Sequence, residues 1–143
     1  MSNQVLLSLG SNQECERNIR YAVRLLSEYF ERITYSSPVY TDPVGAGLPG
    51  PFLNQVAIAY TAATPAEIRT VLKQIERRLG RTPESKISGH IPIDIDLLQW
   101  NDRILKPGDL QREYVRSALL SLPHIDQQNE RSEPQGGFSR MSD

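Results

Sequence analysis

Residues 90–100 read HIPIDIDLLQW. Ile91, Ile93, Ile95 and Leu97 alternate with Pro92, Asp94 and Asp96. Side chains of a strand point to opposite faces with period 2. The branched aliphatics therefore share one face, and Asp94 and Asp96 share the other. Carboxylates at i and i+2 of a strand have Cα atoms roughly 6–7 Å apart. Two like charges that close are unfavourable without a partner. Mg²⁺, which takes one or two carboxylates plus substrate phosphates, is one candidate partner. An Arg or Lys pair is another, and a solvated polar strand face is the plainest alternative.

Composition narrows the classes around this strand. With 143 residues, 38% hydrophobic and 23% charged, the chain is expected to fold as one globular domain with a real core. That domain is placed at 1–123, and the polar, patternless residues 124–143 are expected to form a disordered tail. A net charge of −1 and a pI of about 6.1 argue against a nucleic-acid surface. Cys15 is the only cysteine and lies between two acids, so neither a disulfide nor a reactive thiolate is expected. The N-terminus MSNQVLLSLGSN lacks a basic leader region, and no stretch has the ~20 apolar residues of a membrane span. A cytoplasmic setting with no membrane partner is the expectation. Oligomeric state is not legible.

Upstream, Val5–Leu9 reads as a buried first strand closed by Gly10-Ser11-Asn12. From about Glu16 to Tyr29, Ile19, Ala22, Val23, Leu25, Leu26 and Tyr29 recur at helical spacing, with charges between them. Ile33–Tyr40 is a β-branched and aromatic strand, and Pro38 confines it to an edge, bulge or end. Thr41–Pro51 is too rich in Gly and Pro to be regular. Phe52–Thr61 is a further strand. Thr64-Pro65-Ala66-Glu67 is a capping-box helix start, and Gly80 ends that helix. Arg81–Gly89 is read as a polar loop, Asn101-Asp102 as a hairpin turn into Arg103–Leu105, and Gln111–Leu122 as a last helix. The order β-α-β-β-α-β predicts an α+β, ferredoxin-like sheet with helices on one face, extended by a C-terminal hairpin strand and helix.

Five ordered pieces then resemble the 6-hydroxymethyl-7,8-dihydropterin pyrophosphokinase family of folate biosynthesis, over Val5 to Leu122. They are L-G-S-N (Leu9–Asn12), S-S-P-V-Y-T-D-P-V-G (Ser36–Gly45), F-L-N (Phe52–Asn54), E-x-x-L-G-R (Glu76–Arg81) and D-I-D (Asp94–Asp96). The resemblance implies Mg²⁺-dependent transfer of pyrophosphate from ATP to a reduced pterin. It implies Asp94 and Asp96 as the metal ligands, two Mg²⁺ ions with ATP, and Arg81 beside them as catalytic. It assigns Thr41, Asp42, Pro43, Phe52 and Asn54 to the pterin, and Glu76, Arg81 and Arg116 to the nucleotide. An amide such as Asn54 offers the donor and acceptor that a pterin edge needs, and Phe52 could stack on the ring.

The chain departs from the family pattern on the nucleotide side. The loop before D-x-D, typically R-W-G-P-R-T in the family, is I-S-G-H-I-P here, with Ile87 and Ile91 at the arginine positions and Ser88 at the tryptophan. The family's Pro-His pair corresponds to Asp109-Leu110, and its pterin-covering aromatic after Arg116 corresponds to Ala118. His90 and Lys86 are the nearby cations, and neither has the planar fork of arginine. Three readings follow: an active or impaired pyrophosphokinase, a paralogue binding a pterin or nucleotide without that reaction, and a ferredoxin-like interaction domain. The altered loop is expected to pack away or to be disordered, and not to close over a triphosphate.

Overall fold

The computed structural model describes residues 2–42 and 50–122. The proposed tail at 124–143, and Pro43 with most of the Gly/Pro-rich stretch, lie outside the described residues.

The strands are β1 (Asn3–Ser11), β2 (Arg32–Tyr35), β3 (Val39–Thr41), β4 (Phe52–Thr61), β5 (Asp94–Trp100) and β6 (Arg103–Ile104). The helices are α1 (Cys15–Tyr29), α2 (Pro65–Arg78), α3 (Pro83–Ser88), α4 (Pro107–Leu110) and α5 (Glu113–Ser121). Pairing is antiparallel in the order β2-β4-β1-β5-β6, with β3 also on β4. This is the split βαβ arrangement of a ferredoxin-like sheet, with the added hairpin strand β6 on its outer edge.

One face of the sheet carries Val5, Leu7 and Leu9 of β1, Leu53, Ala57 and Ala59 of β4, and Ile95 and Leu97 of β5. Ile19, Ala22 and Leu26 of α1 and Ile68, Leu72 and Ile75 of α2 pack onto it. The α1 stripe runs at i, i+3, i+7 and the α2 stripe at i, i+4, i+7, the helical spacing that the sequence predicts. Tyr29, expected in the α1 stripe, is 39% exposed. The α2 capping box forms: Glu67 N–H donates to Thr64 Oγ1 at 3.2 Å, and Thr64 N–H donates to Glu67 Oε1 at 2.8 Å.

The expectation of helices on one face only is corrected. Leu6, Val56, Ile58 and Leu98 face the other way, and Val115, Ala118 and Leu122 at α5 cover them. Those β-face aliphatics would otherwise be exposed, at a cost of about 1.5–3 kcal/mol per side chain. The helix covers only part of this second face.

Two other readings change. The segment read as one strand, 33–40, is two, because three residues (36–38) oppose two on β4 (55–56) between the Tyr35–Ala57 and Val39–Asn54 pairs. Pro38 cannot donate to a ladder. Ser36 ties down the break: its N–H donates to Val56 O at 2.8 Å, and its Oγ accepts from Val56 N–H at 3.0 Å. The loop read at 81–89 contains α3. Thr82 N–H donates to Ser85 Oγ at 3.1 Å, Pro83 takes the first turn, and Gly89 ends the helix with φ +80°.

Candidate active site

Gly10 on β1 lies opposite Asn54 on β4 and opposite Asp94 on β5. In the next same-face row, Ser8 lies opposite Val56 and Asp96. Directly opposed residues share a face. Asp94, Asp96 and Asn54 therefore look out of one side of the sheet, the side on which α5 packs over Leu6, Val56, Ile58 and Leu98. Ile93, Ile95 and Leu97 are buried on the reverse. The strand period thus places both carboxylates on one surface, as the alternation in 90–100 requires.

Asp94 is held from below. Arg81 Nη1 donates to Asp94 Oδ1 at 2.8 Å and to Ile93 O at 3.2 Å, and sits 3.5 Å from Glu76 Oε2. Glu76 Oε2 also accepts from Ile95 N–H at 2.8 Å. Glu76 is 4% exposed. Burial pushes its carboxyl above the ordinary range, while the Ile95 N–H and the Arg81 charge pull it back. Glu76, assigned by resemblance to the nucleotide, thus sits under the site with one oxygen spent on the β5 backbone. Its Oε1 is 3.7 Å from the exposed Lys73 ammonium.

Asp96 is pushed up to about 7, first by burial and then by the neighbouring Asp94 charge. Lys106, whose Nζ is 3.6 Å from Asp96 Oδ1, opposes that shift, and Asp109 adds to it. Among the described residues the cations paired with these carboxylates are Arg81 on Asp94 and Lys106 on Asp96. Among the described residues no group of three or more His, Cys, Asp or Glu could hold a metal ion. Two carboxylates on an open face suit Mg²⁺, which keeps waters and takes substrate oxygens; they do not form a closed all-protein cage.

The opposite flank belongs to Asn54, which is 5% exposed. Its Nδ2 donates to Thr41 Oγ1 at 2.7 Å and approaches Val39 O and Phe52 O, each at 3.3 Å. Two carbonyls can only accept, so the amide orientation is fixed by chemistry. Asn54 Oδ1 then points over Gly10, 3.3 Å from where a Cβ at Gly10 would stand. It accepts no hydrogen bond from any described residue. Phe52 Cδ1 lies 3.6 Å from the same point. Thr41 is half-buried and pairs with Phe52, whereas Asp42 is exposed.

The α3 segment approaches from β1. Asn12 clasps its return: Nδ2 donates to Gly89 O at 2.7 Å, and Oδ1 accepts from Ile91 N–H at 2.7 Å. His90 Nδ1 meets Gln13 Nε2 at 2.8 Å. Ile87 is 87% exposed, so it does not pack away as expected, and Ile91 is half-buried. Arg116 is exposed on α5, with no ion pair or side-chain hydrogen bond among the described residues.

The sequence reading missed five positions. Gly10 and Asn12 lay inside L-G-S-N, a motif noted without a task for either. Lys106, Asp109 and Tyr114 come from the region after the hairpin. The Asp109, Asp96 and Asp94 charges all act on Tyr114, whose hydroxyl is pushed up chiefly by burial.

The chain matches the family profile described as 7,8-dihydro-6-hydroxymethylpterin-pyrophosphokinase over residues 6–131. It is 35% identical over 127 residues to the 2-amino-4-hydroxy-6-hydroxymethyldihydropteridine pyrophosphokinase of Bacillus subtilis, covering 87% of this chain and 70% of that protein. It is 36% identical over 126 residues to the protein of the same name from Porphyromonas gingivalis, covering 84% of this chain and 78% of that one. A folate synthesis bifunctional protein of Arabidopsis thaliana is 31% identical over 129 residues, where the match covers 83% of this chain and 27% of that protein. By the profile match over residues 6–131 and these relatives, the chain belongs to the 7,8-dihydro-6-hydroxymethylpterin-pyrophosphokinase family.

Proposed function

We propose that this chain transfers a pyrophosphoryl group from ATP to the hydroxymethyl group of a reduced pterin, with Mg²⁺ held by Asp94 and Asp96. The reading includes two ions with ATP and a cytoplasmic setting. One observation carries it. Asn54, a buried amide whose carbonyl oxygen accepts no hydrogen bond among the described residues, lies across Gly10 from Asp94, with Asp96 one row further along the same sheet face.

Each residue has a task in this reading. Asn54 Oδ1 accepts from a pterin N–H, and Phe52 lies against the ring, with Thr41, Asp42 and Pro43 completing that flank. Asp94 and Asp96 take the metal, and Arg81 fixes which way the Asp94 carboxylate faces. Glu76 holds Arg81 and the β5 backbone in place. Arg116 is offered to the nucleotide. Bound Mg²⁺ would neutralise phosphate oxygens and align them, and phosphoryl transfer consists largely of such positioning. The chain's own contribution is to hold the pterin hydroxymethyl group and the metal-bound phosphates together.

A second reading, a family member that binds the pterin and transfers slowly, is favoured by α3. That segment has Ile87 and Ile91 where the family has arginines; its nearby cations are Lys86 and His90, and His90 is engaged by Gln13. Each lost charge-assisted contact is worth about 1.5–3 kcal/mol, or about 10–100-fold in rate if made in the transition state. The test is AMP release from ATP, Mg²⁺ and 6-hydroxymethyl-7,8-dihydropterin, with calorimetry against the pterin and a non-hydrolysable ATP analogue. Turnover supports the first reading. Pterin binding without AMP release supports the second, and binding of neither leaves an interaction domain.

A further inference from the structure

Lys106 stands at the corner where the hairpin ends and α4 begins. Its backbone is anchored: its N–H donates to Leu98 O at 3.2 Å, its carbonyl accepts from Leu110 N–H at 3.3 Å, and Pro107 follows. Its side chain is not anchored. The ammonium is 3.6 Å from Asp96 Oδ1 and the side chain is 49% exposed. That is a loose pair on a flexible four-carbon stem.

Two neighbouring cations are committed. Arg81 is held by Asp94, Glu76 and the Ile93 carbonyl. Arg112 Nε lies 3.5 Å from Asp109 Oδ1. Lys106 is thus a loosely held positive charge on the carboxylate pair, set against one oxygen of Asp96. A divalent ion that binds that oxygen competes with it. The displaced ammonium is still tethered beside Asp96, next to any phosphate that the ion carries.

We propose that Lys106 exchanges partners: it pairs with Asp96 in the unloaded site and moves to a nucleotide phosphate oxygen when Mg²⁺ takes the carboxylates. This rests on the reading of Asp94 and Asp96 as the metal ligands. It gives the chain a phosphate-binding cation from the hairpin side, where the α3 segment supplies no arginine. The exchange is ionic, with no bond made or broken covalently.

Opposite signs in two binding measurements test it. Mn²⁺ alone, followed by electron paramagnetic resonance, reads the competition. A non-hydrolysable ATP analogue with Mg²⁺, followed by calorimetry, reads the phosphate contact. Lys106→Ala should tighten Mn²⁺ by about 2–5-fold, the range of an exposed ion pair. It should weaken the Mg²⁺-nucleotide by about tenfold or more, the range of a charge-assisted hydrogen bond. Lys106→Arg should restore nucleotide binding, and both variants should melt with the wild type. If Lys106→Ala shifts both affinities the same way, or neither, the exchange is overturned while the metal site stands. If the wild type binds neither Mn²⁺ nor Mg²⁺-nucleotide, the exchange and the metal site fall together. A wild type that binds both and shows the opposed shifts, yet releases no AMP, supports the exchange and removes only the proposed reaction.

Discussion

Asn54 and Asp94 stand on either side of Gly10, one row of the sheet joining the amide to the first carboxylate. The glycine matters because of what lies above it. A Cβ there would be 3.3 Å from Asn54 Oδ1, tighter than an ordinary contact. Gly10→Ala should displace the amide by a few tenths of an ångström. Pterin affinity should then fall by about 3–10-fold, given that ~1 Å of misplacement can cost 10²-fold. Mg²⁺-nucleotide affinity should change much less. Equal losses for both ligands in calorimetry would contradict the placement of the pterin over Gly10.

Glu76 is expected to be worth more to stability than to ligand contact. Glu76→Ala leaves the buried Ile95 N–H without its acceptor, which costs about 1–3 kcal/mol. Glu76→Gln keeps a carbonyl oxygen for that N–H and loses only the charge facing Arg81. Urea unfolding should therefore place Glu76→Ala well below Glu76→Gln. Indistinguishable midpoints would show that the buried hydrogen bond contributes little.

Asp96 should give the protein a pH-dependent metal affinity and stability. Its native carboxyl titrates at about 7 because of burial and the Asp94 charge. Between the ordinary carboxylate range, about 3.9, and that value, the folded chain holds a proton that the unfolded chain has released. Stability without metal therefore falls as pH rises through this window. Asp96→Asn should remove that part of the slope, so its stability gain over wild type grows from about pH 5 to about pH 8. Mg²⁺ needs the ionised form, so its binding should weaken below neutrality by up to about tenfold per pH unit. Urea midpoints and Mn²⁺ titrations across the window check both, and a difference that does not change with pH would refute the assignment.

Ile87 and Ile91 are the positions at which charge can be added back. Ile87 is already in water, so Ile87→Arg should leave stability unchanged; half-buried Ile91→Arg should cost some. If pyrophosphoryl transfer is limited by missing phosphate contacts, the double variant should release AMP about 10-fold faster or more. A double variant no faster than the wild type would show that these side chains do not reach the phosphates.

Local pattern made much of the architecture readable. The capping box at Thr64–Glu67 and the alternation in 90–100 each depend on neighbours within a few residues. The short α3 was legible too, since Thr82-Pro83 with Ser85 is a helix start, but its polar composition read as loop. The break between β2 and β3 was only half visible: Pro38 announced an irregularity, and the pairing to β4 decided that it divides the strand.

The sequence by itself determined that Asp94 and Asp96 share a face, that the elements run in ferredoxin-like order, and which family the motifs resemble. Those properties follow from periodicity and residue type. The tertiary structure alone decided that Glu76 lies beneath the site, that Asn12 clasps α3, that Lys106 sits on Asp96, and that α5 packs on the apolar residues of the second face. Each of those contacts joins residues that chain order leaves apart or unoriented. Only the register of β1 between β4 and β5, and the packing of α2 and the hairpin corner against β5, brings them within hydrogen-bond range.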